Sequence, residues 1–370
     1  MVALELQKLT KFWPSMRVQV DLKVDPGSLV ALAGPSGCGK STVLRMIAGL
    51  CPPDSGKIMI DGTDVVSLSP KDREVGMVFQ DYALFPHLDV LANVAYGLSV
   101  RGIPRKQREA LSLGLLDSVG MRSFSKRRPH ELSGGERQRI ALVRTLATKP
   151  RVILFDEPLS SLDTALRKHL RLEIREQQKR AGLTALYVTH DLEEAMTMAD
   201  QVAIMDKGTI LQCAPPRDLW QRPASVSVAR FLGSGPCLPV LAFEKTGSSM
   251  IAVTAVGRFG IPEEEIPLHS QAISPVDARE AQSPKAHIFF ERTAAGVLTQ
   301  ADALKIRDIS GIGYFSAQCL RTDFAGDIVD CLMQAGGITF LLRFSSERAP
   351  DAGESIHLLV ETEKTHLIYG

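Results

Sequence analysis

Nine residues, Gly34-Pro35-Ser36-Gly37-Cys38-Gly39-Lys40-Ser41-Thr42, limit the folds open to this chain more than any other stretch. They fit the pattern G-x-x-x-x-G-K-[ST]. They lie between an apolar run at residues 28–33 and a helical run at 41–50, where Val43, Leu44, Ile47 and Leu50 share a face. The residue types have a physical reason. Glycines at 34, 37 and 39 let the backbone close around a phosphate, where a side chain would clash or forbid the dihedrals. Successive amides then face inward at the positive end of the following helix. Lys40 offers a full charge to β- and γ-phosphates, and the Ser41 hydroxyl suits Mg2+. A glycine-rich loop with a chance lysine is the bland alternative, but strand, loop, helix and motif all agree here.

A second apolar run, RVILF at residues 151–155, reads as a parallel strand buried on both faces. It delivers Asp156 and Glu157 to the carboxyl edge of a sheet, where open α/β sheets hold ligands. Asp156 is the candidate for the Mg2+ shell, and Glu157 for orienting or deprotonating the attacking water. Neighbours on a strand point opposite ways, so the pair must diverge at the strand end. Alone, the pair would read equally well as a solvated acidic strand end. Further strands are expected at residues 18–24, 57–60, 185–189 and 201–206, and charged or amphipathic helices at 105–119 and 164–180. The alternation gives an α/β fold with a mainly parallel sheet. Past Gly233, Pro236 and Pro239 mark a linker into short Val/Ile/Phe-rich runs. The expected domains are therefore 1–235, with a helical subdomain at about 83–149, and a small all-β domain at 236–370.

Charge is uneven. Residues 236–370 hold 11 Lys+Arg and 17 Asp+Glu, leaving 32 and 25 in residues 1–235 out of totals of 43 and 42. A front part that handles an anion fits that split. The net charge of +1 gives no case for a strongly basic nucleic-acid binder, so no nucleic-acid partner is expected. The six cysteines form no CxxC pair, so structural zinc is not expected. The start, MVALELQKLTKFW, lacks the apolar stretch of a signal peptide, and no run of 18 apolar residues follows. A reducing, cytoplasmic setting is the expectation, with membrane contact made through partners.

The segment Glu131-Leu132-Ser133-Gly134-Gly135-Glu136-Arg137-Gln138-Arg139 then resembles the signature of ATP-binding cassette (ABC) ATPases. Other elements follow in that family's order: Gln80 in VGMVFQDYALFPH, Ser160-Ser161-Leu162-Asp163 after DEP, and His190 in LYVTHDLEEA. Trp13 in LTKFWPS resembles the aromatic that stacks on adenine, with Phe12 the close competitor. The match covers roughly residues 3–233. It implies a P-loop cassette that uses ATP and Mg2+. Gly34, Ser36, Gly37, Cys38, Gly39, Lys40, Ser41 and Thr42 would cradle the nucleotide, and Ser41, Gln80 and Asp156 would serve the metal. Glu157, His190, Gln80 and Lys40 would carry the chemistry. Ser133, Gly134, Gly135 and Asp163 would act on ATP held by a second copy, which implies a head-to-tail dimer.

The tail and the wording of the motifs resemble the importer branch whose ATPases end in an oligosaccharide-binding-like (OB-like) barrel. That implies permease subunits in the membrane, a solute-binding protein outside it, and a place on the cytoplasmic face of the inner membrane. Phe231-Leu232-Gly233-Ser234-Gly235-Pro236 departs from the sugar-importer pattern and lies closer to the ferric-iron and polyamine types. An exporter subunit and a soluble repair or translation ATPase are the rivals. Exporter subunits usually lack the β tail. The repair class carries a coiled-coil insertion or two cassettes. Three local expectations complete the reading. Glu136 stands where glutamine is usual and is expected to be held by Arg137 or Arg139. The loop's positive field is expected to favour the Cys38 thiolate. Tyr82, Leu84, Phe85 and Pro86 are expected to form an exposed apolar groove for permease helices.

Overall fold

The computed structural model describes residues 3–160, 164–246, 249–262, 286–298 and 312–369. Two compact units result, Met1–Pro216 and Arg217–Gly370. The first is α/β. Its strands are β1 (Leu4–Trp13), β2 (Met16–Val24), β3 (Leu29–Ala33), β4 (Ser55–Ile60), β5 (Thr63–Asp64), β6 (Val75–Val78), β7 (Val152–Asp156), β8 (Thr184–Thr189), β9 (Gln201–Asp206) and β10 (Thr209–Ala214). Its helices are α1 (Lys40–Ala48), α2 (Val90–Val100), α3 (Arg105–Ser118), α4 (Gly134–Ala147), α5 (Thr164–Arg180) and α6 (Leu192–Met198). An antiparallel sheet, β2-β1-β4-β5, and a six-stranded sheet, β10-β9-β3-β8-β7-β6, share one core around α1. Val43, Leu44 and Ile47 of α1 are buried there, as the apolar spacing predicts, together with Met46, while Leu50, expected on the same face, lies past the end of the helix and is 54% exposed. A fully buried side chain of that size is worth about 1.5–3 kcal/mol.

The six-stranded sheet sets the order of the site. β3, β8, β7 and β6 are parallel neighbours, with Ala33 beside Thr189, Asp156 beside Val188, and Val78 beside Phe155. Their carboxyl ends therefore line up. The chain order of Gly34, Gln80, Asp156 and His190 becomes the spatial order Gly34, His190, Asp156, Gln80 along that edge. Helices α2, α3 and α4 form a separate helical core with Val90, Val94, Leu116, Ile140 and Val143 buried, inside the expected subdomain at about 83–149. In α3, Leu116 is buried but Leu111 is 44% exposed, so the apolar stripe is narrower than its spacing suggests.

The second unit begins with helix α7 (Pro216–Gln221) and α8 (Val226–Leu232). Among the described residues ten strands follow: β11 (Cys237–Thr246), β12 (Ser249–Thr254), β13 (Arg258–Ile261), β14 (Ala286–Phe290), β15 (Gly296–Leu298), β16 (Ile312–Ala325), β17 (Ile328–Ala335), β18 (Ile338–Ser345), β19 (Ser355–Glu361) and β20 (Thr365–Tyr369). Their pairings are antiparallel, in an OB-like all-β region around Phe259, Phe290, Phe315 and Leu342. The division at Pro216 falls ahead of the Pro236 linker. The reason is α8: its Val226 and Ala229 pack on Phe289 and Ile368, the reverse face of strands β14 and β20.

Candidate functional site

The phosphate loop runs from the end of β3 into α1. Gly39, the residue before α1, has φ 108°, a region L side chains rarely adopt. A Cβ at Gly34 would lie 2.1 Å from the Met205 carbonyl oxygen. Both positions need glycine. Lys40 is almost fully buried, and its ammonium donates to the carbonyls of Gly34 at 2.8 Å and Pro35 at 2.9 Å. The cation is thus held inside the loop by its own backbone.

Asp156 ends β7 and accepts a hydrogen bond from Ser41 Oγ at 2.9 Å. Burial raises the carboxyl pKa, which the Ser41 bond and the Arg45 charge only partly offset. A hydroxyl and a desolvated carboxylate form an oxygen donor pair of the kind a small hard dication takes, so the residues fit Mg2+. Gln80 is exposed and shares an open groove of about 710 Å3 with Arg45, Arg137 and Asp156.

The expected divergence of the two acids has a backbone cause. Glu157 has φ 45° and its amide donates to Val188 at 3.0 Å, so the chain swings out of the strand after Asp156. The Glu157 carboxylate then meets His190, whose Nδ1 lies 2.8 Å from Oε2. The corner carrying His190 is anchored below by Glu194. This buried carboxylate accepts from Thr189 Oγ1 at 2.8 Å and Tyr187 OH at 3.1 Å, while Asp191 caps α6 through the amides of Glu193 and Glu194. Burial raises the pKa of Glu194 and pushes that of Tyr187 well up.

Ser133 caps α4, and its hydrogen bonds run to Glu136. The Ser133 amide donates to Glu136 Oε2 at 2.7 Å and the Glu136 amide donates back to Ser133 Oγ at 3.4 Å. This corrects the expectation that Arg137 or Arg139 holds Glu136. Arg137 donates to the Leu132 carbonyl, and Arg139 pairs with Glu173. The reciprocal pair is a capping box, a stronger local solution than a salt bridge to a neighbour on the same turn. The Ser133 amide is also the main cause of the lowered Glu136 pKa. Glutamine can make both bonds, and alanine makes only one. Glu136→Gln is therefore expected to change ATP turnover by less than about threefold, while Glu136→Ala should destabilise the turn by about 0.5–2 kcal/mol. Steady-state hydrolysis with paired melting curves checks both; a collapse of turnover in the glutamine variant defeats this account.

Two further expectations change. The Cys38 thiol is not tipped toward thiolate: it is 5% exposed, and burial raises its pKa against the opposing pull of Lys40. Alkylation should accordingly be slow, ATP should slow it further, and the alkylated protein should lose nucleotide binding. Rapid labelling unaffected by ATP, read by intact-mass spectrometry, contradicts this. In the expected apolar groove, Tyr82 is 5% exposed and belongs to the core, while Pro86 is exposed and half-buried Phe85 lies tilted against exposed Tyr96, with ring centres 4.4 Å apart. Trp13 and Phe12 are both largely exposed at the end of β1, with Lys11 5.8 Å from the Trp13 ring and Arg17 5.4 Å from Phe12. Either ring is open to a base. Asp163 lies outside the described residues.

The sequence reading passed over Asn93 and Arg144. Asn93, fully buried on α2, accepts from the Phe85 amide at 2.8 Å and donates to the Phe85, Leu88 and Asp89 carbonyls. Arg144 on α4 donates to the carbonyls of Tyr82 and Ala83. Their partners are main-chain atoms, which leave no side-chain motif to read. Among the described residues, no helix is long and apolar enough to cross a membrane, and no cluster of three or more His, Cys, Asp or Glu is grouped to hold a metal.

The ABC transporter family model matches residues 18–160. The chain is 42% identical over 332 residues to the Fe(3+) ions import ATP-binding protein FbpC 1 of Rhizobium meliloti, covering 89% of this chain and 87% of that one. It is 48% identical over 239 residues to the corresponding protein FbpC of Rhizobium etli, with 64% and 67% covered. It is 48% identical over 220 residues to the spermidine/putrescine import ATP-binding protein PotA of Frankia alni, with 60% and 47% covered.

Proposed function

The chain belongs to the ABC transporter family, and from that premise we propose that it is the ATP-hydrolysing subunit of a ferric-iron importer. The observation that carries the chemistry is the alignment of the phosphate loop, Asp156, Glu157 and His190 on adjacent strand ends. ATP binds with its phosphates in the loop, where Lys40 trades the Gly34 and Pro35 carbonyls for β- and γ-phosphate oxygens. Ser41 and Asp156, with Gln80 in the same groove, would hold Mg2+, which would supply positive charge against the phosphates. Glu157 takes a proton from the attacking water, the water oxygen bonds to the γ-phosphorus, and the bond to the bridging oxygen breaks to leave ADP. His190, 2.8 Å from the Glu157 carboxylate, holds that base in line.

The Gly134 and Gly135 amides at the head of α4 suit an anion from outside the chain, because these two residues put no side chain in its way. A second copy, placed head to tail, supplies that anion as the γ-phosphate of its own ATP. Closing on two ATPs and opening after hydrolysis then drives permease subunits from the cytoplasmic face of the membrane. A solute-binding protein outside completes the system. Iron is favoured over a polyamine as cargo because likeness to the ferric-ion import protein runs through 89% of this chain, and likeness to the polyamine one through 60%. The test is Mg2+-dependent phosphate release by the purified chain, together with co-purification. Polytopic membrane proteins and iron-dependent uptake support the reading. Absence of hydrolysis even with the permease present ends it.

A further inference from the structure

We propose that Arg144 is a positioning residue for hydrolysis: it holds the strained corner after Gln80 and ties that corner to the helix headed by Ser133. The proposal rests on the reading above that Gln80 acts at the Mg2+ site and that the head of α4 receives a γ-phosphate.

Tyr82 and Ala83 have φ 63° and 44°, two successive non-glycine residues in the left-handed region. Such a corner persists only where its surroundings over-determine it. Three features do so. The Tyr82 amide donates to the Phe79 carbonyl at 3.0 Å, and the Tyr82 ring is buried in the core. Asn93 fixes the far end at Phe85. Between them, Arg144 donates from Nη2 to the Tyr82 carbonyl at 2.9 Å and from Nη1 to the Ala83 carbonyl at 2.5 Å. The fork thus grips the carbonyls of the same two residues whose dihedrals are unfavourable. Its guanidinium also lies 5.6 Å from the Phe85 ring. A planar fork can serve two adjacent carbonyls at once, and a lysine, with one ammonium, cannot reproduce that geometry.

The location of this fork matters as much as its contacts. Arg144 and Ser133 belong to the same helix, α4, whose last turn carries Arg144 and whose cap is Ser133. At 1.5 Å per residue they stand about 16 Å apart on one rigid rod. A shift of the Ser133 end on receiving phosphate therefore moves the grip on the Gln80 corner as a unit, with no flexible link between. The catalytic edge at Gln80 and the sensor of the second copy's nucleotide are joined through one guanidinium.

A merely structural arginine and a positioning one separate in a cycle of variants. Arg144→Gln is expected to lower kcat about tenfold. KM for ATP should stay within about twofold, because the phosphate loop is untouched. Adding Ala83→Gly should recover part of that loss, since glycine takes φ near 44° without strain. Amide exchange at residues 80–85 should quicken in Arg144→Gln while α1 stays protected. Arg144→Lys, which keeps the charge but not the planar fork, carries the same comparison should the glutamine variant not fold. The proposal is overturned by an unchanged kcat, by a loss that tracks only the folded fraction, or by no recovery with Ala83→Gly. Gln80→Ala serves as control. If that variant hydrolyses at the wild-type rate, the reading of Gln80 fails by itself, and the exchange measurement still decides whether Arg144 holds the corner.

Discussion

Glu157→Gln is expected to leave ATP binding intact and to cut phosphate release by about 10²–10⁴-fold, the usual share of a positioned general base. The substitution keeps the shape of the side chain and removes its capacity to take a proton. Binding should be spared because the groups proposed to grip the triphosphate, Lys40 and the loop amides, lie at the start of α1 and between β3 and α1, two strands away from the end of β7. A neutral amide also removes one negative charge beside the γ-phosphate, so the ATP-bound dimer should accumulate. Light scattering with and without ATP would show a dimer that persists for the glutamine variant and turns over in the wild type. His190 makes the prediction sharper. Its Nδ1 lies 2.8 Å from the Glu157 carboxylate, so His190→Ala should lower kcat while leaving the bound nucleotide in place. Phosphate release at the wild-type rate from Glu157→Gln would take the base role from this residue.

How far the site could be read beforehand depended on the kind of partner each residue has. The loop at Gly34–Thr42 and the acids at 156 and 157 are legible because an apolar strand must precede them and a ligand edge must follow. The need for Asp156 and Glu157 to part company was legible too, but not the means, since a φ of 45° at a glutamate leaves no mark in the sequence. Glu136 was legible and misread. The pattern S-x-x-E at the head of a helix carries its own capping logic, and two nearby arginines drew attention from it. Cys38 required weighing two opposed effects, the Lys40 charge and burial, and only the packing says that burial dominates. Tyr82 shows the limit of counting apolar residues, because a left-handed corner turns Tyr82 fully inward, leaves Leu84 and Phe85 half-buried and exposes Pro86. The boundary at Pro216 follows from α8, whose apolar face finds its partner on β14 and β20, more than fifty residues further on.

Arg73→Met is expected to be among the most destabilising single changes in the first unit, and the reason again lies in main-chain partners. Arginine is ordinarily a surface residue, yet Arg73 is 4% exposed. Its Nη1 donates to the carbonyls of Met46 at 2.8 Å and Ile47 at 3.0 Å, Nη2 to Val66 at 2.8 Å, and Nε to Leu68 at 3.0 Å. Met46 and Ile47 lie in the last turn of α1, where the Gly49 amide reaches the Met46 carbonyl and a cation meets the negative end of the helix dipole. Burial lowers the guanidinium pKa, the Asp64 charge counters it, and among the described residues the hydrogen bonds that hold the group run to backbone carbonyls. Methionine matches the stem but offers no donor, which takes the guanidinium from the buried Met46 and Ile47 carbonyls and from the part-buried Val66 and Leu68 carbonyls. The cost should be about 3–5 kcal/mol. For a unit of this size that lowers the melting transition shifted by ATP by roughly 6–20 °C. Lysine can reach some of the four and should lose about half as much. Gly49 fits the same picture: a Cβ there would sit 2.8 Å from Arg73 Nε, so Gly49→Ala should push the guanidinium off its carbonyls and reproduce part of the loss. A transition within about 2 °C of wild type for Arg73→Met would show that water satisfies those carbonyls as well as the arginine does.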